Sequence, residues 1–254
     1  MNNNFYTDII LPNYNKKDYI DETIQSVINQ TFKNWNLIII DNNSNDGSDD
    51  ILKKYYKFEN IKIIKLRRNM GLSFSRNLGL RLAKNKYVSF LDSDDLWDKN
   101  KLKKQISFMK QNDYSFIYTN YTPFYTHNGF KTFKKTIYPK EKYNLNIFIE
   151  DTSIATSSMI IKKELINSSK FKKKSHNEDY DFKCKILKKG INAYNLNENL
   201  TFYRITKNSR SSYKLKSLIS IFNTNKNLLN LSLFKNLKAI LSISINSIKK
   251  YGFK

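Results

Sequence analysis

The sequence predicts an α/β fold built on a mostly parallel, doubly wound sheet. Residues 8–112 alternate short β-branched or aromatic runs with segments whose apolar side chains recur at helical spacing. Repeated β-α units of this length favour parallel strands joined by right-handed crossovers. Three polar clusters follow three of the predicted strands, and ligands of open parallel sheets bind beyond the carboxyl ends of the strands. We therefore expect these clusters to form one ligand site.

The individual elements follow from periodicity and from turn residues. The first half contains predicted strands at 8–11, 35–40, 61–66 and 87–91, with helices at 20–32, 51–58, 72–83 and 96–109. The aromatic region 114–150, with a turn near Asn128 and Gly129, suits an antiparallel insertion. A Ser/Thr-rich strand is predicted at 154–161, a helix at 178–189 that ends at Gly190, and short strands at 191–195 and 200–204.

Composition limits the partners and the compartment. The 254 residues include 45 Lys or Arg and 22 Asp or Glu, a net charge of +23 that favours anionic partners such as nucleic acid, acidic lipid or phosphorylated substrates. A merely well-solvated surface is the alternative. The single cysteine, Cys184, excludes an intramolecular disulfide and a cysteine-based zinc site. Neither a signal peptide nor an apolar run of about 18 residues is recognisable, so we expect a cytoplasmic protein.

The C-terminal tail, residues 213–254, is basic and has helical periodicity. Residues 201–254 contain eleven Lys or Arg, and no acidic residue follows Glu198. A basic amphipathic helix of this kind suits an anionic membrane surface. It suits equally well a helix packed on the rest of the protein, and the sequence leaves both possibilities open.

The most informative segment is the acidic turn, Asp92–Asp95, which follows the predicted strand 87–91. It places three carboxylates within four positions, and such groups repel one another unless a positive charge lies between them. A divalent cation held by carboxylate and phosphate oxygens is the usual solution. Asp95 is expected to cap the following helix, which leaves Asp92 and Asp94 for a ligand.

Three further clusters combine polar groups with the starts of helices. Asp41 and Asn42 follow the second strand, where they suit either a capped turn or contacts to a ligand. Gly71 and Arg76 lie at a helix start that suits phosphate. Residues 178, 179 and 181 are acids at the start of a later helix. They exceed what the helix dipole needs, so one of them could serve as a general base. His127 and His176 share no metal-ligand spacing.

In combination, these segments resemble the inverting family 2 glycosyltransferases of the GT-A fold. The resemblance covers most of residues 8–112 and returns near 178–204. It rests on the segments Ile9–Asn15, Ser26–Phe32, Leu37–Ser48, Asn69–Gly79, Tyr87–Trp97 and Glu178–Asp181. It implies a catalytic domain over residues 1–212, with a nucleotide-binding half at about 1–112 and an acceptor half at about 113–212.

The resemblance also implies residue roles. Asp92 and Asp94 would form the DxD element, with Asp94 the more direct ligand of Mn²⁺ or Mg²⁺. Asp179 would deprotonate the acceptor hydroxyl, and Glu178 would orient the acceptor or support that base. The nucleotide-sugar would be bound by Pro12, Tyr14, Asp41, Asn42, Gly71, Arg76, Asp92 and Ser93.

Two departures from the family pattern stand out. Asn42 occupies a position where the family often has a second Asp, although an amide oxygen still accepts a hydrogen bond. The segment after Tyr203 and Arg204 lacks the histidine that many relatives carry. A third protein ligand for the metal is therefore in question, and Lys207 or Arg210 would help to neutralise the diphosphate instead.

The implied activity is a hexosyltransferase-like reaction that moves a sugar from a nucleotide-diphosphate donor to a glycan or lipid-linked acceptor. Its implied setting is surface-polysaccharide biosynthesis on the inner face of the plasma membrane, with no nucleic acid partner. Two alternatives remain: a metal-dependent nucleotidyltransferase, which uses similar carboxylates, and a basic nucleic-acid-binding protein. The acidic clusters argue against the second, since they would repel phosphate without a metal.

Overall fold

The computed structural model describes residues 6–173, 175–206 and 214–252, without the side chain of Tyr251. Its strands are β1 (Thr7–Asn13), β2 (Trp35–Asp41), β3 (Ile61–Lys65), β4 (Tyr87–Phe90), β5 (Leu96–Trp97), β6 (Phe116–His127), β7 (Phe130–Phe133), β8 (Lys142–Tyr143), β9 (Ile160–Lys162) and β10 (Ala193–Arg204). Its α-helices are α1 (Lys17–Ile28), α2 (Ser48–Lys53), α3 (Leu72–Leu82), α4 (Lys101–Asn112), α5 (Leu145–Phe148), α6 (Glu178–Leu187), α7 (Lys214–Asn227) and α8 (Leu233–Tyr251).

One mixed sheet runs through the protein in the order β3-β2-β1-β4-β9-β6-β10-β5, with β7 beside β6 and β8 beside β10. The pairs β2–β3, β1–β2, β1–β4 and β6–β10 are parallel. Strand β9 is antiparallel to both β4 and β6. The predicted parallel first half is confirmed, whereas the second half joins the same sheet through one reversed strand.

Several predicted boundaries were wrong, most of them in the second half of the chain. Residues 154–161 form a 3₁₀ turn, Thr156–Ser158, before β9. In this turn the hydroxyls of Thr156 and Ser157 bond to Asp179 and Asp95, which lie far away in the sequence. The two short strands predicted after residue 190 are one strand, β10, interrupted by register shifts. The helix predicted from residue 96 begins at Lys101, because Leu96 and Trp97 pair with β10.

The core fills both faces of the sheet. Successive side chains of β1 alternate between them, so Ile9 and Leu11 pack with residues of α1 while Ile10 faces α3. A glycine allows the close approach of α3: a Cβ at Gly79 would lie 2.4 Å from Cγ2 of Ile10. These contacts fix β1, and with it the carboxyl edge where the polar clusters lie.

The tail forms two helices that pack on the domain through one side only. Ile221, Ala239 and Ile243 are buried, and Asn225 accepts a 2.6 Å hydrogen bond from Tyr180 of α6. The opposite side of α8 carries an apolar stripe of exposed residues: Leu233, Phe234, Leu237, Leu241, Ile245 and Ile248. Packing on the domain is thus confirmed for one face of the tail. Within the described ranges, no helix combines the length and the apolar character needed to span a bilayer.

Candidate active site

The acidic turn lies at the carboxyl edge of the sheet, directly after β4. Asp95 does not cap a helix, which corrects the sequence prediction. Its buried carboxylate accepts bonds from the Ser157 hydroxyl at 2.5 Å and from the Arg204 backbone N–H at 2.9 Å. Burial, reinforced by repulsion from Asp94 and Asp92, holds the pKa of Asp95 well above its usual range. Asp95 therefore anchors the turn from inside the protein.

Asp92 and Asp94 each contact a cation. Nζ of Lys16 lies 2.6 Å from Oδ2 of Asp94, and Nη2 of Arg76 lies 2.6 Å from Oδ1 of Asp92. Burial raises the pKa of Asp94; the Lys16 ammonium opposes this shift and the charge of Asp92 adds to it. The charge of Asp92 is thus close enough to disfavour the ionised form of Asp94, as the crowding in the sequence predicted.

Arg204, at the end of β10, clamps the acidic turn. Its Nε donates to the Asp94 carbonyl at 2.7 Å, and Nη2 donates to Glu22 at 2.5 Å. The guanidinium group also lies over the rings of Tyr19 and Phe124, at 4.8 Å and 4.4 Å. A planar group with several donors is suited to join so many elements. The sequence singled out Arg204 only as part of a family motif and not for this role.

The clusters after β1 and β2 meet as predicted. Asn13 donates to Asp41 at 2.8 Å, and the Ser44 hydroxyl bonds to Asp41 at 2.5 Å. Pro12 lies inside β1, whereas Tyr14 is exposed at its end. Asp41 is fully buried, so in this conformation its carboxylate holds the loop together and is not open to a ligand.

Asn42 binds the loop that precedes α3, at the same edge of the sheet. Its amide donates to Asn69 at 2.7 Å and its carbonyl oxygen accepts from the Met70 N–H at 2.8 Å. These bonds support Gly71, whose φ of +85° lies in a region that favours glycine. Among the described residues, apart from its chain neighbours, none has an atom within 4 Å of a Cβ built there, so within these ranges the backbone at the start of α3 borders open space. The predicted phosphate-facing helix start is therefore accessible.

Arg76 does not reach that open space. It is 2% exposed, and its guanidinium group donates to Asp92 at 2.6 Å and to Glu178 at 2.8 Å. Burial alone would lower the pKa of Arg76, but the charges of Asp92 and Glu178 raise it above its usual value. The structure thus places Arg76 between two predicted site carboxylates, where it links them, and Glu178 is correspondingly buried.

Asp179 lies in the first turn of α6, where its side chain is partly exposed. Its Oδ2 accepts from Nζ of Lys183 at 2.9 Å and from the Thr156 hydroxyl at 3.2 Å, and the side chain remains 35% exposed. Burial acts to raise the pKa of Asp179, but the Lys183 and Arg76 charges outweigh it and hold the pKa well below the usual range. Asp179 is therefore ionised and partly open, as a proton acceptor must be.

Residues 151–158, which we call the bridging segment, were not recognised as part of the site from the sequence. The Ser157 hydroxyl accepts from the Asp92 N–H at 3.1 Å as well as donating to Asp95. Thr156 contacts Asp179, and the Ile154 carbonyl accepts from Lys183 at 2.7 Å. The segment thus touches both the acidic turn and the start of α6. Serines and threonines in an irregular run carry no specific signal that would assign them to a site. Of the residues in this contact network, only Lys183 on α6 had a recognisable signal, its i+4 spacing from Asp179.

The acidic turn fits a divalent cation in its donor chemistry. Mn²⁺ and Mg²⁺ prefer oxygen ligands, and Mg²⁺ sites often use one or two carboxylates together with substrate phosphates. In the part of the chain that is described, no group of three His, Cys, Asp or Glu side chains is arranged to hold a metal. Asp92 and Asp94 would thus be the protein ligands. Lys207 and Arg210, expected near the diphosphate, lie outside the described residues.

Comparisons with known proteins agree on the family. Residues 8–169 match the sequence profile described as "Glycosyl transferase family 2". The "Putative teichuronic acid biosynthesis glycosyltransferase TuaG" of Bacillus subtilis is 34% identical over 243 residues, covering 95% of this chain and 96% of the relative. The Escherichia coli protein WfaP, named as a UDP-Glc:α-D-GlcNAc-diphosphoundecaprenol β-1,3-glucosyltransferase, is 36% identical and covers 87% of this chain and 85% of its own.

Solved structures agree on the fold. Staphylococcus aureus TarS 1–349, crystallised with UDP-GlcNAc, superposes with a TM-score of 0.72 at 20% identity, covering 96% of this chain and 72% of TarS 1–349. The Pyrobaculum calidifontis mannosyltransferase PcManGT, solved with GDP-Man and Mn²⁺, gives 0.68 at 14% identity, covering 98% and 76%. The GT-A fold inferred from the sequence is confirmed. The chain is an enzyme and belongs to glycosyl transferase family 2.

Proposed function

We propose that this glycosyltransferase moves a sugar from a nucleoside-diphosphate donor to a glycan or lipid-linked acceptor, with inversion at the anomeric carbon. The observation that carries the proposal is the guanidinium group of Arg76, which joins Asp92 of the acidic turn to Glu178 at the start of α6. The neighbouring Asp179 is ionised and partly exposed. A donor anchor and a candidate base are thereby held at one edge of the sheet.

In this proposal the donor lies across the carboxyl ends of β1, β2 and β4, in a half that extends over residues 1–112. Pro12, Tyr14, Asp41 and Asn42 form the nucleotide side, and Gly71 and Ser93 border the phosphates. Asp41 and Asn42 act mainly by shaping these loops, since their polar groups already bond within the protein. Asp92 and Asp94 would hold Mn²⁺ or Mg²⁺, which as a Lewis acid stabilises the diphosphate as it leaves.

Asp179 acts as the general base from the acceptor half, residues 113–212. It takes the proton of the acceptor hydroxyl while that oxygen attacks the anomeric carbon in line. The bond from that carbon to the diphosphate oxygen breaks, and its electron pair leaves with the diphosphate. One displacement inverts the configuration. Glu178 supports the base indirectly, because its carboxylate is buried against Arg76.

Cell-surface polysaccharide biosynthesis is the setting that the relatives suggest. The names of TuaG and WfaP refer to teichuronic acid biosynthesis and to a diphosphoundecaprenol-linked acceptor. An acceptor with a polyprenyl anchor would place this enzyme on the cytoplasmic face of the plasma membrane. The exposed face of the tail, residues 213–254, provides a surface for that association.

The apolar stripe of α8 has the chemistry of a lipid-binding face. Phe234 is 79% exposed and Leu241 is 61% exposed, and exposed lysines, Lys235 and Lys249, flank the stripe. No acidic residue follows Glu198 in the sequence, so anionic headgroups would meet little repulsion. A second copy of this chain is a poorer occupant, because it would bring lysines against lysines.

Transfer is tested by incubating the purified protein with a panel of nucleotide sugars, Mn²⁺ and a polyprenyl-diphosphate-linked sugar. We expect free nucleoside diphosphate and an extended acceptor whose new linkage is inverted. Release of pyrophosphate would instead indicate nucleotidyl transfer, and a retained anomeric configuration would contradict the proposed displacement.

Membrane association is tested with vesicles of phosphatidylglycerol and, separately, of phosphatidylcholine. We expect cosedimentation with the anionic vesicles that is lost in the variant F234S/L237S/L241S. Y56S removes a comparably exposed aromatic far along the chain and serves as the control. If the triple variant bound the anionic vesicles as well as the wild type, the lipid assignment would be contradicted. It would also be contradicted if the wild type were a dimer that the triple substitution dissociates.

A further inference from the structure

Lys183 is a buried cation in direct contact with the candidate base. It lies one helical turn after Asp179 on α6 and is 2% exposed. Its Nζ donates to Asp179 Oδ2 at 2.9 Å, to the Ile154 carbonyl at 2.7 Å and to the Thr156 hydroxyl at 3.2 Å. An ammonium group has three hydrogens, so these three acceptors satisfy it completely.

The contacts of Lys183 exceed what stabilisation of a helix requires. An exposed i,i+4 ion pair contributes only about 0.2–0.5 kcal/mol to a helix, whereas burial of an ammonium group carries a desolvation cost. The same helix has a second i,i+4 pair, Lys185 with Asp181 at 2.6 Å, in which the carboxylate is buried but the lysine is 28% exposed. Lys183 differs because its ammonium group is buried and two of its three acceptors lie in the bridging segment, whereas Lys185 bonds outside α6 to the Lys170 carbonyl.

We infer that Lys183, together with Thr156, is a positioning residue for the proposed base. The two side chains hold Oδ2 of Asp179, so that Oδ1 is the oxygen left to accept the proton of the acceptor hydroxyl. Among the described residues, none forms a hydrogen bond to Oδ1. This role rests on the proposed function, because it assumes that Asp179 is the base.

The same contact connects the base to the donor anchor. Lys183 and Thr156 bind α6 to the bridging segment, and the next residue, Ser157, binds the N–H of Asp92 and the carboxylate of Asp95. A shift of either group would therefore move the bridging segment. Misplacement of a reacting group by about 1 Å can reduce the rate about 100-fold, so a fixed spacing between base and donor is valuable to the reaction.

The same contacts also determine the charge state of Asp179. Among the described residues, the ionisable groups around Asp179 include Lys183, Glu178 and Cys184 on its own helix and Arg76 on α3. The bridging segment contributes the Thr156 hydroxyl. Burial would raise the pKa of Asp179, and Lys183 is the largest influence in the opposite direction, ahead of Arg76. Lys183 therefore keeps the base ionised at the expense of intrinsic basicity, which makes orientation its main contribution.

The decisive experiment compares K183Q with K185Q, which removes the second i,i+4 ion pair of the same helix, Lys185 with Asp181. Selective ¹³C labelling of aspartate follows the carboxyl titration of Asp179 by NMR without requiring any activity. We expect the midpoint to move to higher pH in K183Q and to stay at the wild-type value in K185Q. An unchanged Asp179 midpoint in K183Q would overturn the inference.

Kinetics provide the second measurement. In K183Q we expect kcat for diphosphate release to fall, by up to about 100-fold, with an unchanged KM for the donor and an acid limb moved to higher pH. A purely structural role would change the melting temperature and not the pH profile. If the wild-type protein transfers no sugar, the proposed function fails. The titration of Asp179 still tests whether Lys183 controls its carboxyl group. If K183Q does not fold, T156V decides, and unchanged titration and kcat in T156V would overturn the inference.

Discussion

Asp92 and Glu178 share the guanidinium group of Arg76. The two carboxylates are 86 residues apart in the chain, yet one planar side chain binds Asp92 through Nη2 at 2.6 Å and Glu178 through Nη1 at 2.8 Å. The ring of Phe171 lies 5.3 Å from the same group. The acidic turn and the start of α6, the proposed donor and acceptor sides of the site, are thus joined by a buried cation as well as by the bridging segment.

Replacement of Arg76 tests this joint. R76M removes the cation that the buried carboxylate of Glu178 shares with Asp92, and removal of one member of a buried pair typically costs about 3–5 kcal/mol. We expect a large drop in the free energy of unfolding, measured by urea denaturation. R81M, which alters an exposed arginine on the same helix, is expected to change little. Equal stability of the two variants would contradict the joint.

Replacement of Asp94 tests the metal assignment. D94N keeps the size of the side chain but removes one of the two anionic oxygen donors, so Mn²⁺ binding followed by electron paramagnetic resonance should weaken by at least about tenfold, or about 1.4 kcal/mol. D98N changes a nearby aspartate that bonds to the Asn100 N–H, and it should bind Mn²⁺ like the wild type. Undiminished Mn²⁺ binding by D94N would remove Asp94 from the metal site.

Replacement of Asp179 tests the base. D179N preserves the shape and the Thr156 contact but cannot take a proton, and loss of general-base catalysis usually costs about 10²–10⁴-fold in rate. We expect such a loss in kcat for diphosphate release with the donor KM nearly unchanged. Wild-type turnover in purified D179N would exclude Asp179 as the base.

Gly79 tests the packing that fixes β1 under the site. A Cβ at this position would lie 2.4 Å from Ile10 Cγ2, and overpacking of a core typically costs about 1–3 kcal/mol. We expect G79A to lower the free energy of unfolding by about this amount. The cost should shrink in an I10A background, where the clashing methyl group is gone, and a fully additive double mutant would contradict the clash.

Lys250 ties the end of α8 to the bridging segment and makes stability depend on pH. Its Nζ lies 2.5 Å from Asp151. Burial would raise the pKa of Asp151, but hydrogen bonds from Lys250 and Ser153 hold it below its ordinary value of 3.8. A carboxyl whose pKa is lowered by folding stabilises the protein above its unfolded pKa, and the contribution disappears as the pH falls through the folded pKa.

K250M should therefore lower the free energy of unfolding by about 1–3 kcal/mol near neutral pH. The difference from the wild type should shrink once the pH falls below 3.8, the ordinary Asp value. Thermal denaturation from pH 3 to 7 measures it, with K249M, at an exposed lysine, as the control. A difference that does not vary with pH would contradict this pairing.

The local patterns predicted much of the first half of the chain. Strands β1 to β4 and helices α1 and α3 were recognisable because their apolar residues recur at regular spacing. The loops between them are marked by polar residues. The start of α4 was wrong because Asp95 looks like a helix cap locally, whereas its partners, Ser157 and the Arg204 backbone, lie far away in the sequence. Strand β9 was wrongly extended for a similar reason.

The sequence by itself determined the family and the GT-A fold, through its resemblance to family 2 glycosyltransferases. The same resemblance made Asp92, Asp94 and Asp179 candidate site residues, because each motif is a short local pattern. Only the tertiary structure decided how they are held. Arg76, Arg204, Lys183 and the bridging segment act across long separations, and whether a charged side chain meets water or a buried partner depends on the packing of distant elements. For this reason Arg76, expected to face phosphate, is a buried link between two carboxylates, and Lys183 is a buried partner of the proposed base Asp179.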